Sequence, residues 1–419
     1  MPTRGATSCE IHCSEQAGRR HGPRLGTGVI GMRRRCKAGW LPPVAITALA
    51  VSYAVNAAAE TPGLGSGLED WIGTSIDARD SIRRAEDPKP EAEACLKRLC
   101  WHPTTFAVRV DRPGRPDAGD LWLSFPAAGL KPSELRPEDR PLARVVVEWY
   151  AVRDGMGRLA RRPAVVVVHE SGSGMTVGRM IARGLRQRGV HAFMVQLPGY
   201  GARKVPRDVT QVERFGRMLV QSVRDVRRTR DAVTALPVVV KNRVALQGTS
   251  LGGFVAATVA GIDDAFSHVF VLLAGGDLYT VVMTGARDAA GVRRELLKAG
   301  LTERQIRELA GLVEPLHVAH RVVADRFWLF RGKFDTVVPP ECSRKLARAI
   351  GLEAGHEIVL PVNHYSGIVF LPATLDFIAA RVNGTDRGTR PQDVGRNAGG
   401  RTVPSDAASA PMRGTEGGM

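Results

Sequence analysis

The stretch Val244-Ala-Leu-Gln-Gly-Thr-Ser-Leu-Gly-Gly-Phe-Val-Ala-Ala-Thr258 sets a single serine, Ser250, between an apolar run and a helical small-residue run. Residues 243–247 read as a buried strand and 252–260 as a helix. Gly248-Thr249-Ser250-Leu251-Gly252 therefore fills a strand-to-helix turn. Such a turn is sharp enough to force the serine into strained backbone space, and its glycines let neighbouring chain pass close by. The helix that follows aims its first N–H groups at the serine, and the N–H of Leu251 is placed to bind a developing oxyanion. The alternative is an ordinary loop serine, because Gly-x-Ser-x-Gly alone is a weak signal.

A serine hydroxyl needs a base to take its proton and a carboxylate to orient that base. Asp335, in Arg331-Gly-Lys-Phe-Asp-Thr-Val-Val-Pro-Pro340, follows an apolar run at 326–331. His364, in Pro361-Val-Asn-His-Tyr-Ser-Gly367, follows another at 357–362. The order is Ser, acid, His, each after a strand. Asp325 and His356 precede their strands and fall at the wrong end of the sheet. His317 and His320 have the i, i+3 spacing of a metal pair but lack a third ligand, so they read as structural and no metal is expected.

From residue 164 onward, short apolar runs at 164–169, 191–196, 243–247, 267–273, 326–331 and 357–362 alternate with amphipathic stretches at 177–188, 209–236, 252–260 and 370–381. This is the sign of a parallel sheet with crossover helices. Runs at 105–110, 120–125 and 144–150, separated by Pro and Gly, read as antiparallel strands ahead of it. Roughly fifty residues of helical periodicity between 273 and 326 form an insertion over the carboxyl ends of the strands, a candidate lid or pocket wall. The first parallel strand runs into His169-Glu170-Ser171-Gly172-Ser173-Gly174, whose backbone N–H groups at Ser171 and Gly172 are candidates for the second half of an oxyanion hole. Gly172-x-Gly174-x-x-x-Gly178 also looks like a dinucleotide turn. The next strand ends in Gln196-Leu-Pro-Gly199 with no acid to hold a ribose, so no cofactor is expected.

The chain of 419 residues is 44% hydrophobic and 24% charged, ordinary for a globular protein with a sizeable core. Arg33, Arg34, Arg35 and Lys37 precede an apolar run at 44–55 and Asn56-Ala57-Ala58-Ala59, the layout of a secretory signal cleaved after Ala59. The apolar run is short for a membrane span, with a short anchor as the other reading. Met32 is a candidate start, given the length of residues 1–31. Export to the periplasm or the exterior is the expectation. Residues 1–59 hold eight Lys and Arg against two Glu, so the formal charge of +17 falls to +11 without them. The remaining basic residues are dispersed and only 5% of the chain is aromatic, which argues against nucleic acid and leaves polyanion binding weak. Of six cysteines, Cys95 and Cys100 could close a local disulfide, and Cys342 reads as a buried thiol. Beyond residue 383 the composition is that of a disordered tail.

The serine elbow, the Gly-Lys-Phe-Asp-Thr-Val-Val-Pro segment and the Asn-His-Tyr-Ser segment together resemble the α/β-hydrolase superfamily over about 120–381, and within it the dienelactone hydrolase-like and acetyl-esterase-like branch. The resemblance implies a mostly parallel sheet with antiparallel N-terminal strands, helices on both faces and a helical insertion, about 279–322, before the acid-bearing strand. With the leader at 1–59 and the tail at 383–419 read from the residues above, the resemblance sets a catalytic domain at about 120–382 and leaves 60–119 as an extension. In that branch a glutamate after the first parallel strand contacts the nucleophile, which implies a supporting role for Glu170. Dienelactone hydrolases carry a cysteine at the elbow, whereas Ser250 stands here, so ordinary carboxylic esters are the implied substrates. The expected activity is ester hydrolysis through a Ser250–Asp335–His364 triad on a small-molecule or carbohydrate ester. Serine peptidase or thioesterase chemistry, or a non-catalytic binding protein of this fold, is the alternative. Arg179, Arg203 and Lys204 fall in or just after loops at the carboxyl ends of strands; solvated surface charges beside a cleft are the favoured reading, with an anionic or polyhydroxylated acyl partner as the other.

Overall fold

The computed structural model describes residues 62–84, 86–205 and 212–385. The leader and most of the tail lie outside the described residues. Ten strands follow one another as β1 (Ser75–Arg79), β2 (Thr105–Asp111), β3 (Leu121–Pro126), β4 (Arg144–Tyr150), β5 (Arg162–Val168), β6 (His191–Gln196), β7 (Val239–Thr249), β8 (Val269–Leu272), β9 (Phe327–Gly332) and β10 (Glu357–Leu360). The helices are α1 (Leu68–Trp71), α2 (Pro90–Leu99), α3 (Thr176–Gln187), α4 (Val212–Thr234), α5 (Leu251–Ala260), α6 (Leu278–Thr284), α7 (Asp288–Lys298), α8 (Glu303–Gly311), α9 (Pro315–Val318), α10 (Pro340–Ile350) and α11 (Leu371–Asn383).

The strands form one sheet in the order β1-β2-β3-β4-β6-β5-β7-β8-β9-β10. The pairs from β1 through β4 to β6 are antiparallel, and every pair from β6 to β10 is parallel. The side-chain patterns explain the difference. In β2, Phe106, Val108 and Val110 are buried and alternate with exposed Thr105, Ala107 and Arg109, as suits a strand with one wet face. In β5, six consecutive residues from Pro163 to Val168 are buried, as suits a central strand covered on both faces. Val166 and Val168 enter one core with Val226 of α4, Phe254 of α5 and Leu346 of α10. Val165 and Val167 enter the other with Ile181 of α3 and Phe377 of α11. The period-2 geometry of one strand thus feeds both layers.

Residues 62–119 add two strands to the sheet edge and are tied to the body through buried charge. The side chain of Asp80 accepts from Trp101 Nε1 at 2.9 Å, from Thr104 N at 2.9 Å and from both Nε and Nη2 of Arg228 at 3.0 Å. Arg227, one residue earlier on α4, pairs with Asp231 and Asp263. The arginine-rich face of α4 is consumed internally rather than offered to solvent.

Two expectations are corrected. Cys95 and Cys100 are free thiols. Cys95 lies within α2 whereas Cys100 is its C-cap with extended backbone, so the two are not set side by side, and burial pushes both thiols up to about 11. Arg179 and Arg203 do not line a charged pocket. Arg179 Nη2 lies 2.7 Å from Glu148, and Arg203 Nη2 lies 2.7 Å from Asp225, with both members of the second pair fully buried. Only Lys204 of the three is exposed.

Removing one member of a buried pair leaves an uncompensated charge. Asp80→Ala is expected to cost about 3–5 kcal/mol of unfolding free energy, read from the urea midpoint. A loss under about 1 kcal/mol would show that Asp80 does not anchor the N-terminal strands.

Candidate active site

Ser250 stands where β7 ends and α5 begins, with φ 51° and ψ −117°. The left-handed φ is costly for a residue with a Cβ. Two glycines make the turn possible. A Cβ on Gly248 would overlap the carbonyl oxygen of Gly252, and a Cβ on Gly252 would overlap that of Val168. The Ser250 N–H donates to Leu272 O at 2.9 Å, and Ser250 O accepts from Gly253 N at 2.8 Å, opening α5.

Asp335 and His364 come from the loops after β9 and β10. His364 Nδ1 lies 2.8 Å from Asp335 Oδ2, and Nε2 lies 2.9 Å from Ser250 Oγ. A carboxylate only accepts, so Nδ1 carries the proton and donates to Asp335, while Nε2 accepts from the Ser250 hydroxyl. The other carboxylate oxygen, Oδ1, accepts from Val337 N and Val338 N at 2.9 Å each. Asp335 is 4% exposed, so its orientation is fixed by the two backbone donors and the imidazole. The two amides were not foreseen from the sequence, though Asp-Thr-Val-Val-Pro has the Asx-turn composition that produces such bonds.

Strand order and elbow together decide the architecture. The chain has the α/β-hydrolase fold. No family model and no curated protein matches the sequence. Among solved structures it is similar to a 2,6-dihydroxy-pseudo-oxynicotine hydrolase, at 15% identity over 59% of this chain and 67% of that one, with TM-score 0.44. It is also similar to an acylaminoacyl peptidase of Pyrococcus horikoshii, at 14% identity, 60% and 42% coverage and TM-score 0.45. A cold-adapted esterase from an Arctic intertidal metagenomic library gives 17%, 57%, 88% and 0.38. The match covers under half of the peptidase's length.

Leu251 and Gly252 are the first residues of α5, and no helix carbonyl reaches their N–H groups. Ser171, Ser250 and Leu251 border a common cavity. The loop carrying Ser171 and Gly172 is held by His169 and Glu170. The buried His169 accepts from Leu197 N at Nε2, 3.2 Å, and therefore donates from Nδ1 to Glu170 O, 2.6 Å; burial pushes its pKa down and keeps it neutral. The Glu170 carboxylate accepts from Val177 N at 3.1 Å and Gly178 N at 3.0 Å, capping α3. Met175, the residue before that helix, supplies no side-chain cap of its own. Glu170 therefore serves the helix end, rather than reaching for the nucleophile as the family resemblance implied. His317 and His320 are not brought together as ligands: His320 Nε2 lies 3.0 Å from Asp87. Among the described residues no cluster of three metal-ligating side chains occurs, and no helix is long and apolar enough to cross a membrane.

Loss of a helix cap costs about 1–2 kcal/mol. Glu170→Ala is expected to lower unfolding stability by that amount in a urea titration. An unchanged midpoint would show that the carboxylate does not hold α3.

Proposed function

We propose that the protein is an exported serine hydrolase that cleaves a carboxylic ester through an acyl-enzyme. The observation that carries this reading is the continuous Ser250 Oγ–His364–Asp335 relay, with links of 2.9 and 2.8 Å, closed on a strained elbow. Ser250 Oγ attacks the ester carbonyl while His364 Nε2 takes its proton. Asp335 holds the tautomer and stabilises the imidazolium. The N–H groups of Leu251 and Ser171 bind the oxyanion. His364 then protonates the leaving alcohol, and water, activated by the same imidazole, releases the acid. Gly172 and Glu170 support the loop that supplies one oxyanion donor.

Ser250→Ala is expected to lower turnover of an aryl ester by about 10⁶, and Asp335→Asn by about 10⁴. A fluorophosphonate probe should add to Ser250 alone, as read by peptide mass analysis. Undiminished hydrolysis by Ser250→Ala would sink the assignment.

Export rests on the basic residues 33–37, the apolar run 44–55 and the Ala57-x-Ala59 site, all outside the described residues. Protein recovered from a periplasmic or extracellular fraction is expected to begin at Glu60. Recovery in the cytosolic fraction with residues 33–59 intact would refute it.

A further inference from the structure

A cavity of about 180 Å³ lies beside Ser250, bordered by Leu251 and Ser171. Its wall comes from α4, from α5 and from the helices between β8 and β9, including Phe215, Phe254, Val281, Val292, Leu296 and Ile306. Among the described residues that line it, Asp288 is the only charged one. Among the described residues no cation lines the space.

Which half of an ester this space receives follows from the reaction geometry. In the tetrahedral intermediate the carbonyl carbon bears Ser250 Oγ, the oxyanion, the leaving oxygen and the acyl carbon. The oxyanion takes the direction of the Leu251 and Ser171 N–H groups. The leaving oxygen must face His364 Nε2, its proton source. The acyl carbon takes the direction that remains. Ser250, Leu251 and Ser171 border the cavity, whereas His364 does not.

We propose that this cavity is the acyl subsite and that the natural esters carry an uncharged, apolar acyl group of about six to eight carbon atoms. The inference rests on the serine hydrolase reading above. An apolar cavity of about 150 Å³ holds one benzene, so about 180 Å³ suits one or two carbons more. The substrate loses its alcohol on acylation and its acid on hydrolysis, and neither step needs a further reactant than water.

The test is kcat/KM of the purified protein for p-nitrophenyl acetate, butyrate, hexanoate, octanoate and dodecanoate, beside fluorophosphonate labelling of Ser250. Each buried methylene is worth about fourfold, so hexanoate should exceed acetate on the order of 10²-fold, and dodecanoate should fall about tenfold below the optimum. Leu296→Trp on α7 fills the cavity and should lower the octanoate-to-acetate ratio at least tenfold. Val292→Trp, at a position 41% exposed and therefore tolerant of bulk, should lower it in the same direction. A flat profile or an acetate optimum with Ser250 still labelled would overturn the acyl subsite and leave the hydrolase reading standing. Absence of both labelling and hydrolysis in folded protein would overturn both.

Discussion

The clash-limited passage of backbone at the elbow governs the site. Ser250 holds φ at 51° because α5 must start within one residue of the end of β7, and because Gly248 and Gly252 leave no room for a Cβ against the carbonyl oxygens they face. A non-glycine residue in that region carries strain of about 1–3 kcal/mol. Packing offsets it: every residue of α5 from Gly252 to Ala260 is buried, and its small side chains seat it against β7 and β8. The consequence is chemical as well as geometric. Oγ is lifted to the carboxyl edge of the sheet, where the loops after β9 and β10 bring Asp335 and His364 to it.

Arginine plays a structural part that its abundance conceals. Arg179, Arg203, Arg227 and Arg228 are all buried, each against one or more carboxylates. Such pairs gain little net stability over an apolar core, but each is costly to break. They fix the N-terminal strands and the loop after β6 to the sheet. These arginines are thus spent on internal pairing, and the cavity beside the nucleophile is left apolar.

The insertion and the histidine loop meet at a second junction. The guanidinium of Arg287, just ahead of α7, lies 5.0 Å from the Tyr365 ring centroid, and burial together with the nearby Asp288 carboxylate raises the phenol pKa. Arg287 also has a left-handed φ of 50°. The start of the helix that walls the cavity thus contacts the residue after His364.

The order of Ser250, Asp335 and His364 was legible because each follows a strand whose apolar run is its own signal, and strands 144–150 and 191–196 coincide with β4 and β6. β1 and α10 were not foreseen. β1 has the alternating pattern of a half-buried strand but only two apolar residues, Ile76 and Ala78, and α10 begins at a Pro-Pro step that masks its periodicity. The sequence alone determined the sheet class and the elbow, because strand periodicity and glycine spacing are local properties of the chain. Only the tertiary structure decided which arginines are paired, what Glu170 holds and how apolar the cavity is. Each of these depends on partners far away in sequence, such as Asp80 with Arg228 or Ser250 with Leu296, that no local pattern encodes.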